Sequence, residues 1–258
     1  MPAAKKYAPG EFCWADLSAK DAPKAKKFYE SIFDWRAMDI PMGSNYTYSL
    51  MQLRGKDVCG LGPMSKEERK KKTPPSWLPY IWVKSVDAAL KKAKAAGGKV
   101  VSGAMDVMDQ GRMAVVQDPG GAVIGLWQGR KHRGATARDS AGTIAWHDLN
   151  TRKAKAAGAF YTKVFGWKRQ DMKMEQGAYH LFTLGKGNAG GMWPNAMKQL
   201  PNSWLTYWQV KNCAATVTKV KRLGGRVLMG TTPVPGMLRF AVVTDPQRAA
   251  FGVIEFER

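Results

Sequence analysis

The sequence predicts an α+β protein that contains two copies of one arrangement of strands and helices, and two internal matches carry this prediction. Residues Trp14 to Trp35 face Trp146 to Trp167 with nine identities in 22 positions. Residues Ser76 to Ala122 face Ser203 to Ala249, and both stretches contain SWLxYxxVK, a Gly-Gly pair and AVVxDP. Chance would give only a few identities over such lengths, so the 258-residue chain is a tandem duplication.

The helices of each half are predicted from apolar periodicity. Residues 22–33 place six apolar side chains on one helical stripe, and residues 154–165 are their counterpart. A second helix is predicted over residues 86–96 and 213–223. Both second helices run into a Gly-Gly pair, which is typical of a left-handed helix C-terminus.

The strands of each half are predicted from short runs rich in aromatic and β-branched residues. In order along the two halves, these runs are 11–17 and 143–149, 46–53 and 179–184, 77–84 and 204–211, and a last pair that contains AVV (114–116 and 241–243) and an Asp-Pro turn. The glycine-rich segment GKGNAGG, residues 185–191, is predicted to be a hairpin turn.

Two modules and a linker follow from the repeat. We predict a first module over residues 1–131, a linker over 132–142, and a second module over 143–258. The linker region is polar, basic and rich in Gly, Ser and Thr, which is typical of a connecting segment.

Composition excludes several protein classes. A hydrophobic content of 45%, with ten Trp, nine Phe and eight Tyr, is typical of a folded chain and not of a disordered one. No apolar run reaches the roughly 20 residues of a membrane helix, and the first residues do not match a signal peptide, so we expect a cytoplasmic protein without a membrane partner. The cysteines Cys13, Cys59 and Cys213 show no CxxC spacing, which argues against a disulfide framework and against structural zinc.

The net charge of +21 favours contact with polyanions or acidic ligands. The excess is spread over both halves, so nucleic acid is not expected to bind beyond nonspecific electrostatic contact. The one dense run, Lys66 to Lys72, lies between Gly-Pro and Pro-Pro pairs and is predicted to be a solvated loop.

Three motifs recur in both halves in the same order: WxDL, FYxxxFxW and DPxxxxxG. Together they resemble the vicinal oxygen chelate superfamily of glyoxalases, bleomycin-resistance proteins and extradiol dioxygenases, and most closely its two-module glyoxalase-like branch. The resemblance implies tandem βαβββ modules that pair into a curved-sheet cleft, the vicinal oxygen chelate fold. Such a cleft would take a small-molecule ligand.

The resemblance also locates the positions at which metal-dependent relatives carry their ligands. A His or Gln on the first strand corresponds to Trp14 and Trp146, and a Glu on the last strand corresponds to Gly125 and Gly252. None of these side chains can ligate a metal. We therefore expect no cofactor, with a nonstandard divalent metal site as the alternative.

Strand alternation adds further candidates. Asp16 and Asp148 point to the same side as the tryptophans at the first-strand positions, where they would act as acid and base, bind a cationic ligand, or serve as structural carboxylates. Trp127 and Ile254 share the face of the last-strand positions. The set of predicted ligand-binding residues is therefore Trp14, Asp16, Trp127, Trp146, Asp148 and Ile254.

The sequence contains three histidines. His132 is predicted to be a solvated linker residue, and His180 to be either a strand surface residue or a polar group of a pocket. Strand alternation predicts that His147 lies on the face of the strand opposite Asp148, where it packs or hydrogen-bonds. A one-residue shift of register would place it on the other face. The catalytic candidates are therefore Asp16, Asp148 and His147.

The leading functional hypothesis is a metal-free protein that binds an apolar or aromatic small molecule in the cleft between its modules. The alternative is a lyase, isomerase or dioxygenase of the same superfamily that uses a metal or these carboxylates. Both a monomer and a homodimer agree with the sequence.

Overall fold

The computed structural model describes residues 7–43, 46–174, 177–194, 197 and 200–257. The strands form two eight-stranded mixed sheets. The elements of the first sheet and its helices are β1 (Phe12–Ala19), α1 (Ala22–Phe33), β2 (Arg36–Pro41), β3 (Thr47–Leu53), β4 (Lys56–Pro63), α2 (Lys66–Lys70), β5 (Ser76–Trp82), α3 (Val86–Ala95), β6 (Lys99–Val107), β7 (Gly111–Gln117) and β8 (Val123–Gly129).

The second half repeats this order without the short helix α2. Its elements are β9 (Ile144–Thr151), α4 (Ala154–Phe165), β10 (Lys168–Met174), β11 (Gly177–Leu184), β12 (Gly187–Pro194), β13 (Ser203–Gln209), α5 (Cys213–Arg222), β14 (Arg226–Val234), β15 (Leu238–Thr244) and β16 (Ala250–Phe256).

The strand order is β2-β3-β4-β1-β5-β8-β7-β6 in the first sheet and β10-β11-β12-β9-β13-β16-β15-β14 in the second. In each quarter of the chain the first strand pairs in parallel with the last, as β1 does with β4 and β9 with β12. The other strand pairs within a quarter are antiparallel, as in β2 with β3. Each half therefore contains two βαβββ units, and the predicted α+β fold class is confirmed.

The four long helices lie where the apolar periodicity predicted them, and their ends have the expected chemistry. Ser85 and Asn212 cap the starts of α3 and α5 by accepting from the third following backbone N–H. Gly97 and Gly224 follow the ends of these helices with φ of 85° and 87°, a left-handed conformation that glycine adopts without strain.

The prediction of a loop over Lys66 to Lys72 was wrong in part, because residues 66–70 form helix α2. Ser65 and Glu68 make a reciprocal capping box, and Glu67 adds a second acidic residue to the first turn. The capping groups satisfy the first N–H donors of the helix, and the acidic side chains interact favourably with the positive end of the helix dipole. A five-residue helix therefore forms despite its net positive charge. The predicted turn over residues 185–191 is also shorter than expected, since β12 begins at Gly187.

Contacts divide the chain into two compact units, and each unit draws residues from both sequence halves. Unit 1 contains the chain up to Trp14, Pro79–Gly134 and His147–Trp204. Unit 2 contains Ala15–Leu78, Ala135–Trp146 and the chain from Leu205.

Each unit has its own aromatic core. The core of unit 1 includes Phe160, Tyr161, Trp167, Phe182 and Trp204, all at most 4% exposed. The core of unit 2 uses the same kinds of residue, namely Tyr29, Phe33, Trp35, Trp208 and Phe251. The FYxxxFxW motifs thus supply core aromatics to both units, which explains why the duplication keeps them. Within the described residues, no helix is long and apolar enough to cross a membrane.

Candidate functional site

The candidate site of unit 1 lies on the sheet face opposite the helix-covered core. On β9, Leu149 belongs to the core cluster of unit 1, so strand alternation turns Asp148 to the other face. On β12, Met192 belongs to the same core, so Gly191 and Trp193 share the face of Asp148. Parallel pairing sets Gly191 directly beside Asp148.

The carboxylate of Asp148 is buried and held by two aromatic donors. The Tyr179 hydroxyl donates to Oδ1 at 2.8 Å, and the Trp193 indole donates to Oδ2 at 3.2 Å. The centroids of the two donor rings are 4.7 Å apart, and the ring planes are tilted by 56°. Asp148 is only 6% exposed. A carboxylate with neutral donors on both oxygens keeps a defined orientation, which a ligand-binding or acid–base group needs.

Gly191 makes this arrangement possible. A Cβ at this position would lie 1.7 Å from the Tyr179 hydroxyl oxygen and 2.2 Å from Oδ1 of Asp148. Because such distances are far below contact distance, only glycine lets the phenol reach across β12 to the carboxylate.

Unit 2 contains a related arrangement on β1, β3 and β4. The Tyr48 hydroxyl donates to Oδ1 of Asp16 at 2.7 Å, and a Cβ on Gly60 would lie 1.8 Å from that hydroxyl. The neighbouring Ser18 donates to Glu68 at 2.9 Å, so a second carboxylate lies on this side of the strand.

The two arrangements differ in their second aromatic group. In unit 2 the Tyr46 hydroxyl lies over Gly62, 2.6 Å from where a Cβ would stand. In the second half, Gly177 is the sequence counterpart of Tyr46, and Trp193 is the counterpart of Gly62. The aromatic residue and the glycine have therefore exchanged positions between the two halves. Burial, followed by the charges of Asp16 and Glu68, raises the pKa of Tyr46.

The last-strand positions that carry Glu in metal-dependent relatives are covered by tyrosine rings. In unit 1 a Cβ on Gly125 would lie 2.2 Å from the ring of Tyr80, and in unit 2 a Cβ on Gly252 would lie 2.0 Å from the ring of Tyr207. A longer side chain has no room at either position unless the ring moves.

A metal ion therefore does not fit these positions. The two glycines offer no donor and no space, and the indoles of Trp14 and Trp146 are not metal ligands. Within the part of the chain that the structure describes, no three His, Cys, Asp or Glu side chains come together as a metal site.

Trp14 and Trp127 lie in unit 1 and pack against His132. Trp14 is 4% exposed and meets the imidazole edge-on, with ring centroids 4.4 Å apart. The Trp127 indole donates to the His132 carbonyl at 3.1 Å. The prediction that His132 is a solvated loop residue was wrong, because these two indoles half-bury it.

His147 lies in the interior of unit 1, on the face predicted by strand alternation. It is 3% exposed and stacks on Phe12 with a centroid distance of 4.0 Å. Burial lowers the pKa of His147 to about 3, so the imidazole is neutral at physiological pH.

The remaining predicted residues have separate surroundings. Trp146 is half-buried, and Ile254 is 4% exposed on β16, paired with Phe240. His180 lies 2.7 Å from Asp171 of the neighbouring strand, and strand alternation turns it away from the face of Tyr179, so it is not part of the Asp148 arrangement.

The tyrosines that orient the two aspartates were not among the residues predicted from the sequence. Tyr48 and Tyr179 stand at equivalent positions of the duplication, as do Gly60 and Gly191. A repeated tyrosine with a repeated glycine was the available signal, but its meaning depends on strand pairing between residues far apart in sequence.

Comparisons with known proteins agree with this architecture. The model of the Glyoxalase/Bleomycin resistance protein/Dioxygenase superfamily matches residues 12–126 and 143–253, one match in each half. The glyoxylase candidate CFP32 of Mycobacterium tuberculosis is 38% identical over 257 residues, which are 99% of this chain and 98% of that protein.

Two further proteins are more distant. The anthracycline biosynthesis protein DnrV of Streptomyces peucetius is 28% identical over 261 residues, covering 97% of this chain and 94% of its own. Among solved structures, the Mn(II)-bound glyoxalase of Novosphingobium aromaticivorans superposes with a TM-score of 0.65 at 16% identity, covering 96% of this chain and 82% of that one. The repeated βαβββ units, the paired motifs and the family match together show that this chain belongs to the Glyoxalase/Bleomycin resistance protein/Dioxygenase superfamily.

Proposed function

We propose that the protein binds a planar aromatic small molecule on the face of unit 1 that carries Asp148, without a metal. The observation that carries this proposal is the buried carboxylate of Asp148, oriented by the Tyr179 hydroxyl and the Trp193 indole. The two rings supply apolar surface, and the carboxylate supplies an acceptor for a hydroxyl or amine of the ligand. Mostly apolar walls with a few fixed polar groups are typical of small-molecule sites.

One of the relatives supports this class of ligand. The name of DnrV connects that protein with the biosynthesis of anthracyclines, which are planar polycyclic aromatic compounds. The metal-free part of the proposal is supported by the tyrosine rings that cover Gly125 and Gly252. The other predicted ligand-binding residues, the cleft between the sequence modules and the cytoplasmic location stay predictions.

A second candidate function is carboxylate-based catalysis, as in a lyase or isomerase. The 2.8 Å contact between the Tyr179 hydroxyl and Asp148 favours it, because a carboxylate beside a phenol can hold a proton donor and a proton acceptor together. In this mechanism Asp148 takes a proton from the bound substrate, and Tyr179 stabilises the charge that develops.

Titration of the chelator-treated protein with anthraquinone derivatives, followed by tryptophan fluorescence, tests the binding proposal. We expect Asp148→Asn and Trp193→Phe to raise the Kd about tenfold, which corresponds to about 1.4 kcal/mol, the size of one lost hydrogen bond or stacking contact. The matched control is Asp16→Asn in unit 2, which should leave this Kd unchanged. Equal affinity in wild type and both unit 1 variants would contradict the proposal.

Product analysis separates the two candidate functions. Incubation of the same compounds with wild type and Asp148→Asn, followed by mass spectrometry and NMR, should return unchanged ligand if the protein only binds. Turnover that disappears in Asp148→Asn but not in Asp16→Asn would instead establish carboxylate-based catalysis.

A further inference from the structure

A cavity of unit 1 lies away from Asp148, between the first turns of α3 and the last turn of α4. Its volume is about 330 Å³, within the range of small-molecule sites. Its lining shares no residue with the Asp148 arrangement. The apolar part of the lining comes from Trp82, Val83, Ala89, Val164 and Phe165.

Three lysines line this cavity, and no carboxylate does. Lys84 precedes α3, Lys92 lies two turns along it, and Lys163 lies in the last turn of α4. Lys163 donates to the carbonyl of Ala95 at 3.2 Å. None of the three forms an ion pair with a carboxylate of the described residues. The cavity therefore combines apolar walls with three uncompensated positive charges.

The backbone N–H groups at the N-terminus of helix α3 do not supply the anion-binding donors. The N–H of Val86 donates to Oε1 of Gln128 at 3.0 Å, and the N–H of Ala88 donates to the hydroxyl of Ser85 at 3.2 Å. With these donors occupied, recognition of an anion depends on the lysine ammonium groups.

Unit 2 provides an internal comparison. A cavity of about 310 Å³ between α5 and α1 has Lys211 and Lys219 at the positions of Lys84 and Lys92. Its lining also contains Arg54 and Asp34, so one of its three positive charges is compensated there. The unit 1 cavity differs in having no carboxylate in its lining and one more net positive charge.

We propose that the unit 1 cavity binds an amphipathic organic anion, with an apolar aromatic or acyl body against Val164 and Phe165 and a carboxylate, sulfonate or phosphate near the lysines. This site is independent of the function proposed for Asp148. It gives the high positive charge of the chain a local role in ligand recognition.

Titration with 1-anilinonaphthalene-8-sulfonate and with its neutral analogue N-phenyl-1-naphthylamine tests the proposal. We expect the anionic probe to bind more tightly than the neutral one. The double variant Lys84→Gln/Lys92→Gln should raise the Kd of the anionic probe about tenfold and leave the Kd of the neutral probe unchanged. Ala88→Trp should fill the cavity and abolish binding of both probes there. The matched controls are Lys211→Gln/Lys219→Gln and Ala215→Trp in unit 2, together with Asp148→Asn, which should all retain the high-affinity site.

Two outcomes would overturn the proposal. The first is equal affinity for the anionic probe in wild type and in Lys84→Gln/Lys92→Gln when circular dichroism shows that both are folded. The second is binding to vesicles that contain anionic lipid without binding of the monomeric probe, since a membrane surface would then be the partner instead of a free small molecule. Competition by octanoate, and none by octanol at equal concentration, would support a free amphipathic anion.

Discussion

The hydroxyl of Tyr29 donates to Oδ2 of Asp245 at 3.2 Å in the core of unit 2. Tyr29 belongs to the FYxxxFxW motif of the first half, whereas Asp245 belongs to the Asp-Pro turn of the second half. The Trp77 indole donates to the same hydroxyl at 3.1 Å, and the other oxygen of Asp245 accepts from the backbone of Gln247 and Ala249. One motif of each half therefore completes a buried network with the other half.

Unit 1 contains the equivalent side chains. The Trp204 indole donates to the Tyr161 hydroxyl at 2.7 Å, and Asp118 accepts from the backbone of Gly120 and Ala122. Burial raises the pKa of Asp118, as it does for Asp245. Each unit therefore contains one FYxxxFxW tyrosine and one Asp-Pro aspartate, and the two come from opposite halves of the chain.

Tyr29→Phe should therefore destabilise the protein. Loss of the hydroxyl leaves the Trp77 indole without its acceptor and one oxygen of Asp245 without its donor, at a cost of about 1–3 kcal/mol. Urea unfolding followed by circular dichroism measures this change. Ser31→Ala, which removes an exposed hydroxyl on the same helix, should change the unfolding free energy by less than about 0.5 kcal/mol. Equal effects of the two substitutions would contradict the network.

The buried His147 predicts a pH-dependent stability. Because its pKa is lowered to about 3 in the folded protein, the unfolded chain takes up a proton near pH 6.5 that the folded chain does not. The free energy of unfolding contributed by this group is fully present above about pH 6.5 and falls by about 1.4 kcal/mol per pH unit towards pH 3.

Comparison of wild type with His147→Phe isolates this contribution, since phenylalanine keeps a ring against Phe12. As the pH falls from 6.5 to 4.5, we expect the unfolding free energy of wild type to decrease more than that of His147→Phe. The control Ser31→Ala should keep the wild-type slope, because it removes no titratable group. Parallel stability profiles for wild type and His147→Phe would show that the imidazole is not buried as described.

Gly191→Ala should disrupt the candidate site. The new methyl group would overlap the Tyr179 hydroxyl and Asp148, so the phenol must leave the carboxylate, with a cost of about 1–3 kcal/mol for the overpacking. Gly187→Ala on the same strand is the matched control, because its Cβ meets nothing closer than 3.8 Å. Unfolding experiments and binding of the anthraquinone panel measure both effects. Unchanged affinity and stability in Gly191→Ala would remove Tyr179 from the site.

Gly252→Ala tests the tyrosine ring that covers the last-strand position. A Cβ there would lie 2.0 Å from the Tyr207 ring, so we expect a loss of about 1–3 kcal/mol. Gly230→Ala, where no atom lies within 4 Å, should be nearly neutral by comparison. The double variant Gly252→Ala/Tyr207→Leu should lose less stability than the two single changes combined, because both act on the same contact. Strict additivity of the two changes would contradict the contact.

The sequence by itself determined the elements that depend on local chemistry. The apolar stripes predicted α1 and α4 to the residue, because helix periodicity and capping act over a few positions. Alternation placed His147 and Asp148 on opposite faces of β9, since neighbouring strand residues always point apart. The repeat also predicted that the two halves share one order of strands and long helices.

Only the tertiary structure decided which residues meet. Asp148 accepts a hydrogen bond from Tyr179, and Asp245 accepts one from Tyr29. No local pattern encodes either pairing, because both depend on strand order and on residues that come together from distant segments. The structure also showed that the glycines at positions 60, 125, 191 and 252 each leave space for a tyrosine side chain. In the sequence these positions show only that a side chain is absent. The physical reason is that packing and hydrogen bonding across strands are set by register, whereas sequence periodicity is set by the geometry of one element.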